Sequence, residues 1–335
     1  MKKAFQILFA VLLFASFTRV EAQRRVQPVK LIFDSDMGPD YDDAGAISIL
    51  HALADSGETD ILATIASTKF EGVAGVLNVF NTYFGRPNIP VGVPRGKALE
   101  LRDSQHWTDT LLAKYPHKIK TNDQAEDATV VYRRILASQP DKSITIVTVG
   151  FLTNLAALIN SPGDRHSPLP GKELVRKKVK ELVCMAGKFP SGKEFNVEKD
   201  ATASKLVFET WPTQVIFSGF EIGAKIKTGL PLVQNTAITN NPAQDVFRIS
   251  IPKAKEDSAG RMSWDETAVL VAVRGYRPWY RLQEGKIVVA ADGSNTWDPA
   301  GKGHFYLIEN QPYQKVQDLL DTLMQHVPAS KRVGR

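Results

Sequence analysis

Short apolar runs that alternate with amphipathic stretches are the feature of this 335-residue sequence that most restricts its fold. Apolar strands of this length, separated by helices, are typical of a mostly parallel sheet that helices cover on both faces. The pattern therefore predicts an α/β fold. The candidate strands span residues 29–33, 61–66, 144–149, 181–185 and 214–217, and the candidate helices span residues 42–54, 73–84, 125–138, 152–159 and 201–210.

Beyond about residue 220 the alternation loosens, although further elements are recognisable. A helix is predicted over Trp264–Arg274, and a terminal helix over residues 313–326. Two strands, 286–290 and 304–308, flank a turn at residues 292–295, where an Asp-Gly pair favours chain reversal. We find no repeat and no low-complexity linker. The sequence therefore predicts one domain, residues 23–335, with a Rossmann-like central sheet and C-terminal helical and small β additions.

The first residues have the layout of a secretory signal peptide. Lys2 and Lys3 precede an apolar run at residues 4–17, and small residues surround a cleavage point after Ala22. The run is too short for a comfortable membrane span, and no later segment is long and apolar enough for one. We therefore predict a signal peptide at residues 1–22 and an exported protein, periplasmic or extracellular, that has no membrane contact after cleavage.

Charge and cysteine content exclude other classes of partner and chemistry. The net charge of +6 is spread along the chain, and the one dense basic run, residues 175–180, reads as a solvated helix end or loop. We therefore expect no nucleic-acid partner. Cys184 is the only cysteine, so no intramolecular disulfide can form. Its apolar surroundings predict a buried, inert thiol.

Five aspartates crowd the stretch where the first strand meets the first helix. They are Asp34, Asp36, Asp40, Asp42 and Asp43, within LIFDSDMGPDYDDAGAISIL. The carboxyl end of a strand is where ligands bind in open parallel sheets. A helix start would explain one or two of these acids, since its free N–H groups favour carboxylates. Five together would repel one another, and a hard cation such as Ca²⁺ or Mg²⁺ would relieve this repulsion.

Two other cation-binding classes fit the loop less well. An EF-hand-type loop fails because its fifth and twelfth positions are Gly38 and Gly45. A phosphatase that begins with a strand and D-x-D would leave the Asp42-Asp43 pair unexplained. It would also need a later lysine and a second acidic pair.

Four segments together resemble the nucleoside hydrolases. DSDMGPDYDDAGAI is similar to the family signature of D-x-D, then Gly, then D-D-A at a helix start, and VGFLTNLA at 149–156 is similar to its T-G-P-L-T-N-x-A segment. EFN at 194–196, followed by Asp200-Ala201, resembles the E-F-N…D-P-x-A segment. Trp264-Asp265 stands where the family carries its last metal-ligating Asp. The order and spread of these motifs, from residue 31 to 275, indicate a Rossmann-like hydrolase of N-glycosidic bonds.

The resemblance implies a Ca²⁺ site and a general base. Asp36, Asp43 and Asp265 would bind the ion through carboxylates, and Val149 through its main-chain carbonyl, a set of oxygens that suits Ca²⁺. Asp42 would be the general base that takes a proton from the attacking water. The transition state of such a reaction is oxocarbenium-like, and a carboxylate-rich pocket would stabilise it.

The remaining implied roles concern the substrate, a nucleoside, and the support of the ligands. Glu194 and Asn196 would bind ribose hydroxyls, with Phe195 near the sugar or the base. Trp264 is typical of the purine-preferring branch of the family, where an indole stacks on the purine; His106-Trp107 could supply a second aromatic face. Asp34 and Asn154 would support the ligands from behind. Asp40 would do the same, replace Asp42 as the base, or join the metal.

The sequence departs from the family pattern in ways that leave a second hypothesis open. Five residues separate Asp36 from the Asp42-Asp43 pair, where the family usually has three, and an Asn expected upstream of Glu194 is missing. A non-catalytic or altered-specificity protein on the same fold, which binds a sugar or glycoside, therefore stays open. An assembly of identical chains, a dimer or a tetramer, also stays open.

Overall fold

A central sheet of eleven strands organises the computed structural model, which describes residues 27–331. The predicted signal peptide at residues 1–22 lies outside these described residues. The strands are β1 (Val29–Ser35), β2 (Thr59–Ala66), β3 (Val91–Val93), β4 (Glu126–Asp127), β5 (Ile144–Thr148), β6 (Val179–Met185), β7 (Ser191–Lys193), β8 (Gln214–Ser218), β9 (Lys227–Thr228), β10 (Arg261–Met262), β11 (Tyr280–Val289), β12 (Ser294–Asp298) and β13 (His304–Glu309). Strands β9 and β10 form a separate two-stranded ladder.

Helices follow most of the strands, as the alternating pattern predicts. They are α1 (Asp42–Asp55), α2 (Val73–Tyr83), α3 (Trp107–Lys114), α4 (Ala128–Ser138), α5 (Thr153–Asn160), α6 (Gly171–Lys178), α7 (Phe195–Lys199), α8 (Ala201–Thr210), α9 (Phe220–Gly223), α10 (Leu230–Gln234), α11 (Pro242–Ser250), α12 (Trp264–Arg274) and α13 (Gln314–Met324). No helix within residues 27–331 is both long and apolar enough to cross a membrane.

The strand order makes the sheet mostly parallel and gives it one antiparallel edge. Neighbouring strands follow the order β4-β3-β2-β1-β5-β6-β8-β13-β11-β12-β7. Each pair from β4 to β13 is parallel, whereas β11, β12 and β7 add in antiparallel fashion. This confirms the predicted α/β class with a small β addition near the C-terminus.

Two apolar clusters, one on each face of the sheet, form the core. One includes Leu31, Phe33 and the buried faces of α1, α2 and α12, and the other includes Ile32, Ile146 and those of α4, α5 and α8. Leu31, Ile32 and Phe33 alternate between the clusters because successive strand residues point to opposite faces. Cys184 is fully buried in the second cluster, as predicted, and burial raises the pKa of its thiol.

Most predicted elements are present, with small differences at their ends. Helix α4 begins at Ala128 rather than at 125, because the Asp127 side chain accepts a hydrogen bond from the Val130 N–H and caps the helix there. Strand β11 extends further upstream than predicted, from Tyr280, since its polar first half pairs with β13.

The strand order also fixes where a ligand can bind. The chain runs from β1 outward through β2 and β3, then returns so that β5 pairs with the other side of β1. Ligands in open α/β sheets bind at such a switch point, beyond the carboxyl ends of the strands. The aspartate loop follows β1, and Val149 follows β5, so both lie at this place.

Candidate active site

A tight turn connects β1 to α1 and carries the aspartates into the molecule. Met37 has a positive φ of 39°, and its N–H donates to Ser35 Oγ and to Asp43 Oδ1, both at 3.1 Å. Gly150, after β5, packs directly against this turn: a Cβ there would lie 2.4 Å from the Asp36 nitrogen. Only glycine leaves enough room for the two loops to meet.

Asp34 is buried at the carboxyl end of β1, where the aspartate loop begins. Its carboxylate is fully buried, and Tyr132 donates to it at 2.7 Å. Asn154 Nδ2 donates to both Asp34 oxygens, at 3.3 and 3.2 Å, and to the Ala66 carbonyl at 2.7 Å. Burial raises the pKa of Asp34 to about 7. These contacts tie β1, β2 and α5 together beneath the aspartate loop.

Asp36, Asp43 and Asp265, three of the four predicted metal ligands, are all buried. Burial and the neighbouring carboxylates raise the pKa of Asp36 and of Asp265 well above the usual range, and that of Asp43 to about 6. Asp43 Oδ1 accepts from Ser35 at 2.5 Å, whereas Asp43 Oδ2 is buried without a hydrogen-bond partner. None of the three pairs with a cationic side chain of residues 27–331.

The fourth predicted ligand is the carbonyl of Val149, a residue that lines the same pocket. It accepts one hydrogen bond, from Asn196 Nδ2 at 3.0 Å, which leaves its second lone pair free. Three carboxylates and a carbonyl, with one orphaned carboxylate oxygen among them, match the oxygen ligands that Ca²⁺ takes. The residues present therefore fit a hard divalent cation.

Asp42 and Asp40 differ from these three because both pair with Arg261. The Arg261 guanidinium donates to Asp42 Oδ1 from Nε at 3.1 Å and from Nη2 at 2.9 Å, and Nη2 also lies 2.5 Å from Asp40 Oδ2. The main-chain N–H groups of Trp264 and Asp265 donate to Asp42 Oδ2, at 3.2 and 3.3 Å.

These contacts argue against the predicted role of Asp42 as the general base. A carboxylate offers roughly four acceptor positions, and four donors already occupy those of Asp42. Asp42 instead joins the start of α1 to the start of α12. Asp40, the rival for the same role, is likewise bound to Arg261.

Glu194 and Asn196 lie at the start of α7, and both line the pocket. Glu194 caps the helix: its oxygens accept from the N–H groups of Gly187, Asn196 and Val197, at 3.0, 2.8 and 3.2 Å. Burial raises the pKa of Glu194 to about 7. Asn196 Nδ2 also donates to the Met185 carbonyl at 3.2 Å, so this amide links the ends of β5 and β6.

Three aromatic side chains, Phe195, Phe220 and Trp264, also line the pocket. Phe195 is 41% exposed. The Trp264 ring lies 5.2 Å from that of Phe220 at 32°, and its Nε1 donates to the Phe220 carbonyl at 2.8 Å. His106-Trp107 does not contribute, because Trp107 is fully buried in the core. The residues that line this pocket are Asp36, Asp40, Asp42, Val149, Met185, Lys193, Glu194, Phe195, Asn196, Phe220, Trp264 and Asp265.

The sequence pattern missed two residues that matter here. Phe220 follows β8 at the same sheet edge, so its place after a predicted strand was the available signal. Arg261 belongs to β10, too short to show a periodic pattern, and its partners Asp40, Asp42 and Asp257 are distant or unremarkable in sequence.

Comparison with known proteins identifies the family. A family model described as inosine-uridine preferring nucleoside hydrolase matches residues 31–312. The chain belongs to the nucleoside hydrolase family. Family members are glycosidases that hydrolyse N-glycosyl bonds. The metal dependence of the family agrees with the acidic cluster of this pocket.

Relatives in sequence and structure cover most of the chain. The pyrimidine-specific ribonucleoside hydrolase RihA of Citrobacter koseri is 28% identical over 229 residues, 64% of this chain and 68% of that protein. The inosine-uridine preferring nucleoside hydrolase of Leishmania major is also 28% identical, over 56% of this chain and 60% of its own length. A plant nucleoside hydrolase shares the fold, with a TM-score of 0.70 at 20% identity, over 89% of this chain and 99% of the other.

Proposed function

We propose that this protein is a Ca²⁺-dependent hydrolase that cleaves the N-glycosidic bond of nucleosides to free base and ribose. The observation that carries the proposal is a pocket lined both by Asp36 and Asp265, which have no cationic side-chain partner among the described residues, and by the rings of Phe220 and Trp264. The carboxylates can bind a cation and a sugar, and the aromatic rings can stack on a nucleobase.

Asp36, Asp43, Asp265 and the Val149 carbonyl would hold the ion. When bound, Ca²⁺ would make a coordinated water molecule more acidic and would neutralise the carboxylates around it. The orphaned Asp43 Oδ2 supports this assignment, because an unpartnered buried carboxylate oxygen costs free energy that a cation would offset.

The base is better assigned to Asp36 than to Asp42. Asp36 lines the pocket, and no guanidinium or ammonium of residues 27–331 pairs with it. A carboxylate has two oxygens, so one can hold a cation while the other accepts a proton from water. Asp42, with four donors on its oxygens, would position Trp264 and Asp265 instead.

Substrate binding would use the two walls of the pocket. Glu194 accepts three N–H groups and keeps about one of its roughly four acceptor positions for a ribose hydroxyl. Asn196 uses Nδ2 within the protein, so its Oδ1 would accept from the sugar. The nearby carboxylates would stabilise positive charge that develops on the ribosyl ring.

Purine ribonucleosides are the favoured substrates in this proposal. Trp264 and Phe220 offer a large aromatic surface for a bicyclic base. The names of the relatives point in different directions, because RihA is called pyrimidine-specific whereas a structural neighbour from Gardnerella vaginalis is called purine-preferring. The preference therefore depends on the pocket of this chain alone.

Export and assembly complete the proposal. The signal-like residues 1–22 favour a periplasmic or extracellular enzyme that acts on nucleosides outside the cytoplasm. The protein would act as an assembly of identical chains, a dimer or a tetramer. Light scattering would measure the mass of the mature protein in solution and so distinguish the two.

The deciding experiment supplies inosine, adenosine, uridine and a p-nitrophenyl riboside to the purified protein, with CaCl₂ and with a chelator. We expect base or nitrophenol to be released with Ca²⁺, and inosine and adenosine to be cleaved faster than uridine. Binding of these compounds without turnover under both conditions would instead support a non-catalytic protein on the same fold. Equal turnover with chelator would contradict the metal assignment.

A further inference from the structure

Arg261 is a buried cation inside the wall of an acidic pocket. Its guanidinium lies 4.9 Å from the centre of the Tyr41 ring and 5.1 Å from that of Trp264. It bonds to Asp40 and Asp42, and Nη1 lies 3.6 Å from Asp257 Oδ2. Planar stacking together with several charge-assisted hydrogen bonds holds a guanidinium in one orientation, which an ammonium could not reproduce.

The carboxylates around the pocket therefore divide into two groups. Asp40, Asp42 and Asp257 share Arg261, and we call them the arginine group. Asp36, Asp43 and Asp265, which we call the open group, have no cationic partner among residues 27–331. Each group contains one buried carboxylate oxygen without a hydrogen-bond partner, Asp43 Oδ2 and Asp257 Oδ1. The two groups therefore differ in their cationic partner, which only the arginine group has among the described residues.

Distances alone favour a different set of acids for a cation. Among the described residues, Asp40, Asp42 and Asp265 each offer an oxygen within 4.8 Å of the other two, whereas the three acids of the open group do not meet this distance. Asp40 and Asp42, however, already bind Arg261. A cation placed there would compete with a buried guanidinium that carries the same sign of charge, and like charges at short range repel strongly.

We infer that Arg261 is a positioning residue that occupies Asp40 and Asp42 and so reserves the open group for Ca²⁺. The inference rests on the proposed function, because it concerns the same site. Arg261 also fixes the orientation of Asp42. The second oxygen of Asp42 accepts hydrogen bonds from the N–H groups of Trp264 and Asp265, and so positions these first two residues of α12.

This inference explains the longer aspartate loop. Two residues of its inserted region meet the arginine: Asp40 binds the guanidinium, and the Tyr41 ring stacks on it. The Tyr41 hydroxyl donates to Asp257 Oδ2 at 2.6 Å, which joins the loop to the segment before β10. The inserted residues and Arg261 thus form one structural unit.

Calorimetric titration of the purified protein with CaCl₂ tests the inference without any substrate. Asp36→Asn should weaken Ca²⁺ binding at least about tenfold, whereas Asp40→Asn should change it less than about threefold. Arg261→Met should tighten Ca²⁺ binding about tenfold, because Asp40 and Asp42 then lose their competing cation. Turnover of Arg261→Met should fall, so that affinity and kcat change in opposite directions.

Arg261→Lys is the matched control, since it keeps the charge but not the planar fork. We expect its Ca²⁺ affinity to stay near that of the unmodified protein while its kcat falls. A merely structural arginine would give variants that melt earlier and bind Ca²⁺ more weakly or equally. That result, or equal losses for Asp36→Asn and Asp40→Asn, would overturn the inference.

The Asp40→Asn and Asp36→Asn pair keeps the test decisive if Arg261→Met fails to fold. Failure of the proposed function would be distinguishable, because the calorimetric ranking does not depend on turnover. An inactive protein that binds Ca²⁺ through Asp36 and not through Asp40 would retain the inference and contradict the hydrolase.

Discussion

Two groups of carboxylates, only a few residues apart in the same loop, are neutralised in different ways. Asp40 and Asp42 bind Arg261, whereas Asp36 and Asp43 bind no cationic side chain of the described residues. All line or adjoin one pocket, and burial raises the pKa of Asp40 as well as the pKa of each acid in the open group. The first group carries its own counter-ion, and the second must obtain one from solution.

The difference teaches how such a loop can hold many acids without unfolding. Buried charges that are not neutralised are costly, so each carboxylate needs a partner or a proton. Arg261 arrives from β10, more than two hundred residues away in sequence, and neutralises Asp40 and Asp42. Asp36 and Asp43 remain available for a metal ion and for chemistry.

The largest expected effect distinguishes the two groups by activity. Asp36→Asn should lower kcat about 10³-fold or more, because it removes both a base and a charged ligand. The measurement is the release of hypoxanthine from inosine at saturating Ca²⁺. Asp40→Asn is the matched control from the arginine group, and its kcat should stay within about tenfold. A larger loss for Asp40→Asn would return the base to that residue.

A second prediction concerns stability and involves the arginine group. Asp42→Ala should lower the free energy of unfolding by about 3 kcal/mol, since it removes a partner of the buried Arg261 and the acceptor of two N–H groups of α12. Urea unfolding measures this change. Asp40→Ala should cost less than about 1 kcal/mol, because its side chain is 43% exposed. Equal costs would contradict the central position of Asp42.

Ca²⁺ itself should stabilise the open group. At about a hundred times its Kd, the ion should add about 2.7 kcal/mol to the free energy of unfolding, because it binds the folded chain preferentially. A melting curve in CaCl₂ and one in chelator would measure the shift. For Asp43→Asn the shift should shrink strongly. An unchanged melting temperature in both buffers would show that the open group does not bind the ion.

The smallest effect concerns the aromatic wall. Trp264→Phe should raise KM for inosine and adenosine about two- to tenfold, because it reduces the ring surface and removes the hydrogen bond to the Phe220 carbonyl. KM for uridine should change less. Trp107→Phe is the control, since Trp107 is buried away from the pocket and should affect only stability. Equal changes in KM for purine and pyrimidine substrates would contradict the preference.

Much of the fold could be predicted because its signals are local. The apolar runs before Asp34 and Val149 mark β1 and β5, whose neighbouring carboxyl ends bring the two motifs together. The helical pattern over Trp264–Arg274 likewise places Trp264-Asp265 at a helix start, and α12 begins at Trp264. Short strands such as β9 and β10 show no periodic hydrophobic pattern in the sequence. Tertiary contacts determine where they form, so the sequence did not predict them.

The division of the acids could not be predicted, because it depends on a pairing across the chain. The motif assigns Asp42 by its place beside Asp43, but hydrogen bonds from Arg261 and α12 decide what its oxygens can do. Likewise, the sequence offers His106-Trp107 as a second aromatic face for the base, although the Trp107 side chain packs into the core. Residue type identified the site, and three-dimensional contacts separated the roles within it.

A crystal structure of the protein with Ca²⁺, located by its anomalous signal, tests the central claim most directly. We predict one ion bound by Asp36, Asp43, Asp265 and the Val149 carbonyl, with Arg261 still bound to Asp40 and Asp42. An ion held by Asp40 and Asp42, with Arg261 displaced from both, would contradict the division of the site.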